Sequence, residues 1–233
     1  MKKLWSTALV SLAMLSAASA GHASGKDEEA AALEKRGKAL RYALKTIAPA
    51  NPIDTGAAAI LVNAPISEVR KIITDFRKYD QIIKPFEKSR VLSRRKGVSE
   101  VYFEVPVAHG AVKIWVVAHV DAPVKDGVGE KIVAKYSRGN VDDFRAVWRL
   151  RAVDDTHTIV KLELLVDPKL PLPGSAVTPE LQYAADKAVT AVRDKAENKT
   201  GVASETTTAS TATAQLPGPT AAGDARAPNV AKR

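Results

Sequence analysis

Residues 57 to 85 read AAAILVNAPISEVRKIITDFRKYDQIIKP, from Ala57 to Pro85. The apolar run Ala57–Val62 has the length and composition of a short strand, and it ends at Asn63-Ala64-Pro65. After it the period changes. Val69, Ile72, Ile73 and Phe76 recur at i, i+3, i+4 and i+7, the spacing of a single buried helix face. The stretch predicts a strand, a hinge at Asn63, and a helix that stops near Tyr79–Asp80 with Pro85 beyond it.

Downstream the period falls to two. Val101, Phe103, Val105 and Val107 alternate with Tyr102, Glu104 and Pro106. Val112, Ile114, Val116, Ala118 and Val120 alternate with Lys113, Trp115 and His119. Phe144, Ala146, Trp148, Leu150 and Ala152 alternate with Arg145, Arg149 and Arg151, and Val160, Leu162, Leu164 and Val166 with Lys161 and Glu163. Each run predicts an antiparallel strand with one apolar and one wet face. Arg90–Arg94 and Lys131–Tyr136 predict shorter strands. Turn residues fall between the runs at Gly97, His109-Gly110, Asp126-Gly127, Gly139-Asn140 and Asp154-Asp155. The proline-rich corner PKLPLPGS (168–175) then leads into a long helix to about Lys195, whose one face carries Val177, Leu181, Ala184, Ala185, Ala188, Ala191 and Val192. So small a face either packs tightly on the sheet or leaves room beneath it; the sequence leaves both open.

The ends read differently from the middle. Lys2 and Lys3, the apolar run Leu4–Leu15 and Ala18-Ser19-Ala20 form a secretory signal pattern over residues 1–20, predicting export, in bacterial style to the periplasm. Residues 21–50 form an accessory segment. Within it Lys26–Ile47 has helical propensity, an acidic start and a basic end, with Leu33, Leu40, Leu44 and Ile47 as a docking stripe. Residues 51–198 are enough for one domain with its own core, and 199–233, rich in Thr, Ala, Pro and Gly, read as a disordered tail.

Composition removes several functions. The chain has no cysteine, which excludes disulfides, thiolate catalysis and Cys-ligated metal. The net charge of +9 is scattered and aromatics are few, which argues against nucleic acid as a partner. The tightest basic cluster is Arg90, Arg94, Arg95 and Lys96. It reads either as a contact for anionic lipid headgroups, and so a peripheral membrane contact, or as a charged sheet edge; the edge reading is preferred. His22, His109, His119 and His157 fall in the N-terminal segment, in turns, or on a wet strand phase. No HxxxH or HExxH spacing supports a metal site. Glu104 and Glu163 sit on the wet phase. Asp75, placed beside a cavity mouth, is read as partnering a local cation or backbone. No residue is assigned a catalytic role, no metal ligand is assigned, and no cofactor is expected.

The order strand, helix, six strands, long helix resembles the helix-grip arrangement of the START-like, SRPBCC superfamily, in particular its polyketide cyclase/dehydrase or coenzyme Q-binding group. The resemblance rests on Asn63-Ala64-Pro65 with Val69, on Thr74-Asp75-Phe76 and Tyr79, on Trp148-Arg149-Leu150, and on Asp167-Pro168 with Leu172-Pro173. Arg70 departs from it, standing where many members carry Trp. The resemblance implies an α+β fold, a curved antiparallel sheet around a long C-terminal helix, and an apolar cavity between them. The apolar phases would line that cavity with Phe103, Val105, Ile114, Val116, Tyr136, Phe144, Trp148, Leu162, Leu164, Leu181, Ala185 and Ala188. Its expected occupant is a lipid, isoprenoid or polyketide-like molecule, held by a binding or transfer protein; the alternative is a cyclase or dehydratase acting on a polyketide-like substrate.

Overall fold

The computed structural model of the chain describes residues 27–45, 53–84, 86–107, 112–170 and 172–209. Its elements run α1 (Glu28–Arg36), β1 (Leu40–Leu44), β2 (Thr55–Val62), α2 (Ile66–Thr74), a 3-10 turn (Phe76–Lys78) and α3 (Tyr79–Ile82). They continue with β3 (Lys88–Arg95), β4 (Val98–Val107), β5 (Val112–Val120), β6 (Val124–Asp126), β7 (Gly129–Gly139), β8 (Val141–Ala152), β9 (Thr158–Pro168) and α4 (Gly174–Ala209). The residues read as a signal peptide, His22, His109 and the tail from 210 onward lie outside this description.

The strands form one antiparallel sheet in the order β1-β2-β9-β8-β7-β5-β4-β3, with the short β6 paired to β7. Registers define its two ends. Val62 and Ala152 both meet Thr158 at one end of β2, β8 and β9, and Val141 meets Pro168 toward the other; β5 is staggered against them, with Val120 opposite Ala134 and Ala118 opposite Tyr136. The helix-grip arrangement is present: the sheet curves around α4, which packs along β2 and β9.

The helix α2 forms where expected and buries Val69, Ile72 and Ile73. It stops earlier than its spacing suggested. Asp75 leaves the helical region at φ −85°, ψ 66°, and the chain restarts as the 3-10 turn and α3. This break turns Phe76 and Tyr79 together into the core. The α2 helix lies over the first end of the sheet, sharing a core with Ile132, Leu150 and Val160 and joining β7 through a paired Arg70–Glu130 contact at 2.5 Å. We call this the closed end.

The expected helix over Lys26–Ile47 is corrected to a helix and a strand. Asp27 caps α1, accepting from Ala30 N–H at 3.1 Å, and Gly37 at φ 66° ends it. Residues Leu40–Leu44, good helix formers, instead pair with Thr55–Ala59. The backbone donors and acceptors of β2 would otherwise lie open at a sheet edge, and satisfying that ladder outweighs a weak local propensity. Of the predicted stripe, Leu33 is buried, docking with Ala30 on the outer face of the sheet against Ala59 and Ile159, while Leu40 and Leu44 are exposed and Ile47 lies outside the described residues. Arg151 bonds Asp27 and Glu29, and Lys161 bonds Glu29 at 2.5 Å, which ties α1 down. Two further boundaries move: β6 adds a strand to the six expected after the helix, and α4 continues past Lys195 and Asn198 into the stretch read as tail.

The small face of α4 is a packing device. A Cβ built on Gly56 would fall 2.4 Å from the Gln182 nitrogen and 2.5 Å from the Leu181 carbonyl carbon, so the helix backbone lies directly on β2. Ala185, Ala188 and Ala196 are buried with Val189 and Val192 along the same contact.

Candidate ligand groove

Exposure changes steadily along the inner face of the sheet. Ile132, Leu150 and Val160, toward the closed end, are fully buried in the core that α2 shares, and so are Val101 and Ala118 on β4 and β5. At mid-sheet Phe103, Val116, Trp148 and Leu162 are still buried, with Trp148 at 6% exposure. Toward the other end Val105, Ile114, Tyr136, Phe144, Leu164 and Val166 share the apolar phase yet stay partly exposed. These partly exposed side chains form an apolar strip on the inner face of the curved sheet, a candidate groove continuous with the buried residues at mid-sheet. Burying apolar surface left in water is the general driving force for filling such a site.

The residues expected to line a cavity are distributed along this face. Phe103, Val116, Trp148 and Leu162 make the floor; Val105, Ile114, Tyr136, Phe144 and Leu164 make the open part. Ala185 and Ala188 belong to the buried α4 contact with the same core. Leu181 stands aside, packing with Ile53, Leu165 and Val177 beside the partly buried Leu164 and Val166.

An aromatic cluster that the sequence did not announce walls one side. The Tyr79 ring stacks on Phe103 at 5.8 Å between centroids and meets Phe76 and Phe86, each at 5.7 Å. The Tyr79 hydroxyl donates to the Ile73 carbonyl at 2.5 Å and is bonded by the Trp148 side chain, while burial holds its proton far above the ordinary phenol range. The one signal available was its place four residues after Asp75. Tyr136, the other hydroxyl toward the groove, donates to the Gly139 carbonyl at 3.3 Å.

The charged candidates lie elsewhere. Asp75 is ion-paired with Lys78 at 3.1 Å next to the end of α2, so it belongs to the closed end and not to the mouth. His119 points outward and is exposed; His157 is bound to Asp154 at 2.9 Å in the β8–β9 turn, where backbone, Thr156 and His157 contacts hold the Asp154 carboxyl down to about 2. Glu163 bonds Arg149 at 2.8 Å on the outer face. Glu104 is on the outer face as expected, yet only 7% exposed. Tyr102 donates to it at 2.5 Å and Lys88 at 2.9 Å, with Lys113 at 3.6 Å, and these hold its carboxyl down to about 2 while raising Tyr102 to about 12. The Tyr102 ring stacks on Trp115 on the same outer face, 6.1 Å between centroids. Among the described residues no three His, Asp or Glu side chains converge as a metal site.

This architecture is shared with solved structures. A START superfamily protein from Mycobacterium smegmatis matches with a TM-score of 0.54 at 18% identity over 61% of this chain and 96% of its own. A STAR-related lipid transfer protein from Xanthomonas axonopodis matches with a TM-score of 0.57 at 13% identity, covering 67% and 98% respectively. The Zhui aromatase/cyclase from a Streptomyces species matches with a TM-score of 0.50 at 19% identity, covering 62% and 93%. At these identities the likeness is one of fold. A comparison with curated protein sequences finds no match. The family model for polyketide cyclase / dehydrase and lipid transport proteins spans residues 62–193, from the end of β2 through the buried part of α4. The chain is therefore a member of the polyketide cyclase / dehydrase and lipid transport family.

Proposed function

We propose that this protein binds an apolar small molecule, a lipid, isoprenoid or polyketide-like compound, in the groove between the sheet and α4, and acts as a binding or transfer protein. The observation that carries the reading is the exposure of Val105, Ile114, Tyr136, Phe144 and Leu164 on a face whose other half is fully buried. Five apolar side chains in one concavity lose little by accepting an apolar ligand and gain roughly 25 cal/mol for each Å² removed from water. The neighbouring polar groups favour carriage over chemistry. Tyr79 and Tyr136 are both engaged with backbone carbonyls, and the carboxylates named above lie on the outer face or at the closed end. A general acid or base would have to reach the ligand from within hydrogen-bond distance. The basic, apolar and Ala18-Ser19-Ala20 start of the chain supports a role outside the cytoplasm, where an apolar molecule crossing water needs a carrier.

The test is an organic-solvent extract of the full chain purified from its native envelope, examined by mass spectrometry. One equivalent of an apolar compound, displaced by an added apolar fluorophore, is the expected result. A clean extract from protein that also takes up no fluorophore overturns the reading.

A further inference from the structure

At the closed end, away from the groove, a cleft of about 380 Å³ opens between the end of α2, the β3–β4 turn and the β5–β6 loop. Thr74, Phe76, Arg94, Arg95, Lys96, Ser99, Asp121 and Pro123 are among its lining residues. We infer that this cleft is an anion site that takes a phosphate-bearing group.

The first support is the state of its cations. Along the outer face, Lys88, Lys113, Lys131, Arg138, Arg149, Arg151 and Lys161 each hold a carboxylate. The side chains of Arg94, Arg95 and Lys96 are exposed and hold no carboxylate among the described residues, and neither does that of Arg90 on the same strand. The one acid in the cleft, Asp121, faces Lys135 at 3.8 Å. A charged edge strand would need only solvated cations spread along its length. Here Arg94 and Arg95, on opposite faces of the strand end, and Lys96 in the turn all border one concavity.

The second support is the cleft itself. Phe76, Val98, Ala122 and Pro123 give it low-dielectric walls, which focus the field of the cations into the space between them. Guanidinium forks match phosphate oxygens in pairs, and Ser99, which pairs with Arg94 across the hairpin, lines the same cleft. The Thr74 hydroxyl is already engaged with the Arg70 carbonyl at 2.8 Å.

The turn points the same way. Lys96 at φ 50° and Gly97 at φ 81° form a two-residue hairpin turn with both residues in the left-handed region. Asn-Gly is the easy solution there. A lysine in that conformation is uncommon, and it puts a third charge at the cleft rim. The site is independent of the apolar groove: it would stand if no apolar ligand were found.

A phosphate-bearing group could be a free phosphoester or a lipid headgroup, and titration of the full chain separates them. Calorimetry with inorganic pyrophosphate and sedimentation with phosphatidylglycerol vesicles, against phosphatidylcholine vesicles, are run on four proteins. These are the unaltered chain, Arg94→Ala/Arg95→Ala, the cleft-filling Ala122→Phe, and Lys38→Ala/Lys195→Ala, which removes two charges elsewhere. Saturable binding that weakens roughly tenfold or more in the first two variants but not in the last is expected. If pyrophosphate shows that pattern the ligand is a free phosphate compound; if only phosphatidylglycerol vesicles show it, the source is a headgroup. Binding that falls equally in the Lys38/Lys195 variant, or survives Ala122→Phe, or is absent for both ligands, overturns the site. Circular dichroism of each variant confirms that it is folded.

Discussion

Replacing Gly56 with alanine tests how α4 is seated, and with it the origin of the groove. In an ordinary strand, alanine in place of glycine is expected to stabilise by roughly 0.4–1 kcal/mol, because it restricts the unfolded chain. Gly56 is not among the glycines at positive φ, so no backbone strain opposes the change. The opposition is steric. The new methyl carbon would sit 2.4 Å from the Gln182 nitrogen and 2.5 Å from both the carbonyl carbon and Cβ of Leu181. Two of those three atoms are helix backbone, so no rotamer change relieves them. Restoring ordinary contact requires α4 to rise by roughly 1 Å, loosening the Ala185 and Ala188 packing along the same face; such overpacking costs typically ~1–3 kcal/mol. The cost exceeds the gain, and the expected net effect is a loss of about 1–2 kcal/mol. For a domain of this size that lowers the melting temperature by roughly 3–8 °C. Urea titration followed by far-ultraviolet circular dichroism reads the change as a lower midpoint with an unchanged slope. A variant as stable as the parent, or more stable, refutes the close seating of α4 on β2.

The inner face provides a contrasting pair. Val105→Asp, in the open part, is expected to cost under about 1 kcal/mol of stability while reducing uptake of an apolar fluorophore at least tenfold. Trp148→Ala, in the floor, is expected to cost about 3–5 kcal/mol; equal costs from urea midpoints would show that the exposure gradient is wrong. Tyr79→Phe leaves the Ile73 carbonyl and the Trp148 side chain without the hydroxyl that joins them, so a loss of about 1–3 kcal/mol is expected from the same midpoints. No loss would mean the hydroxyl is not held there. Glu104 gives a pH signature. Its folded-state carboxyl lies at about 2, below the ordinary 4.5, so its contribution is present above the ordinary value and lost as pH falls toward the folded one. The stability difference between the parent and Glu104→Gln should be constant from pH 7 to about pH 5 and shrink toward pH 2. Asp27 and Asp154 titrate in the same direction but cancel in that difference; a difference that does not depend on pH refutes the Tyr102–Glu104–Lys88 arrangement.

The inner face was legible because period two is a strong signal. A strand buried on one side must alternate, so Phe103, Ile114, Phe144 and Trp148 could be assigned to one surface before any register was known. Three features were not legible, each because it depends on a partner distant in sequence. Leu40–Leu44 has helical composition and becomes a strand because Thr55–Ala59 offers it a free ladder. Glu104 reads as solvated and becomes buried because Tyr102 reaches over it along the strand while Lys88 and Lys113 come from the neighbouring strands. Gly56 looks like one small residue among alanines, and its role emerges only when Leu181 and Gln182 arrive from the other end of the chain. The break at Asp75 is a milder case. Phe76 keeps the helical spacing, and only the Phe86 and Phe103 contacts explain why the chain leaves the helix to bring Tyr79 beside it.

The place of the groove follows from the seating of α4. A helix with its side chains is about 10–12 Å across, and neighbouring strands are about 4.8 Å apart, so one helix covers two or three strands. Gly56 and the alanine face fix α4 over β2 and β9, at one side of the sheet. In the order β2-β9-β8-β7-β5-β4, β5 stands three strands beyond β9, outside the reach of the helix. At the opposite edge the 3-10 turn and α3 contact β3. The inner faces of β8, β7 and β5 are left between the two, and α2 lies over the closed end of β8, where Leu150 and its neighbour Ile132 are buried. At the other end Phe144, Tyr136 and Ile114, one from each of those three strands, stay partly exposed. An alanine-rich helix face therefore marks the seat of the helix, and the space for a ligand lies beside that seat, across the strands the helix is too narrow to cover.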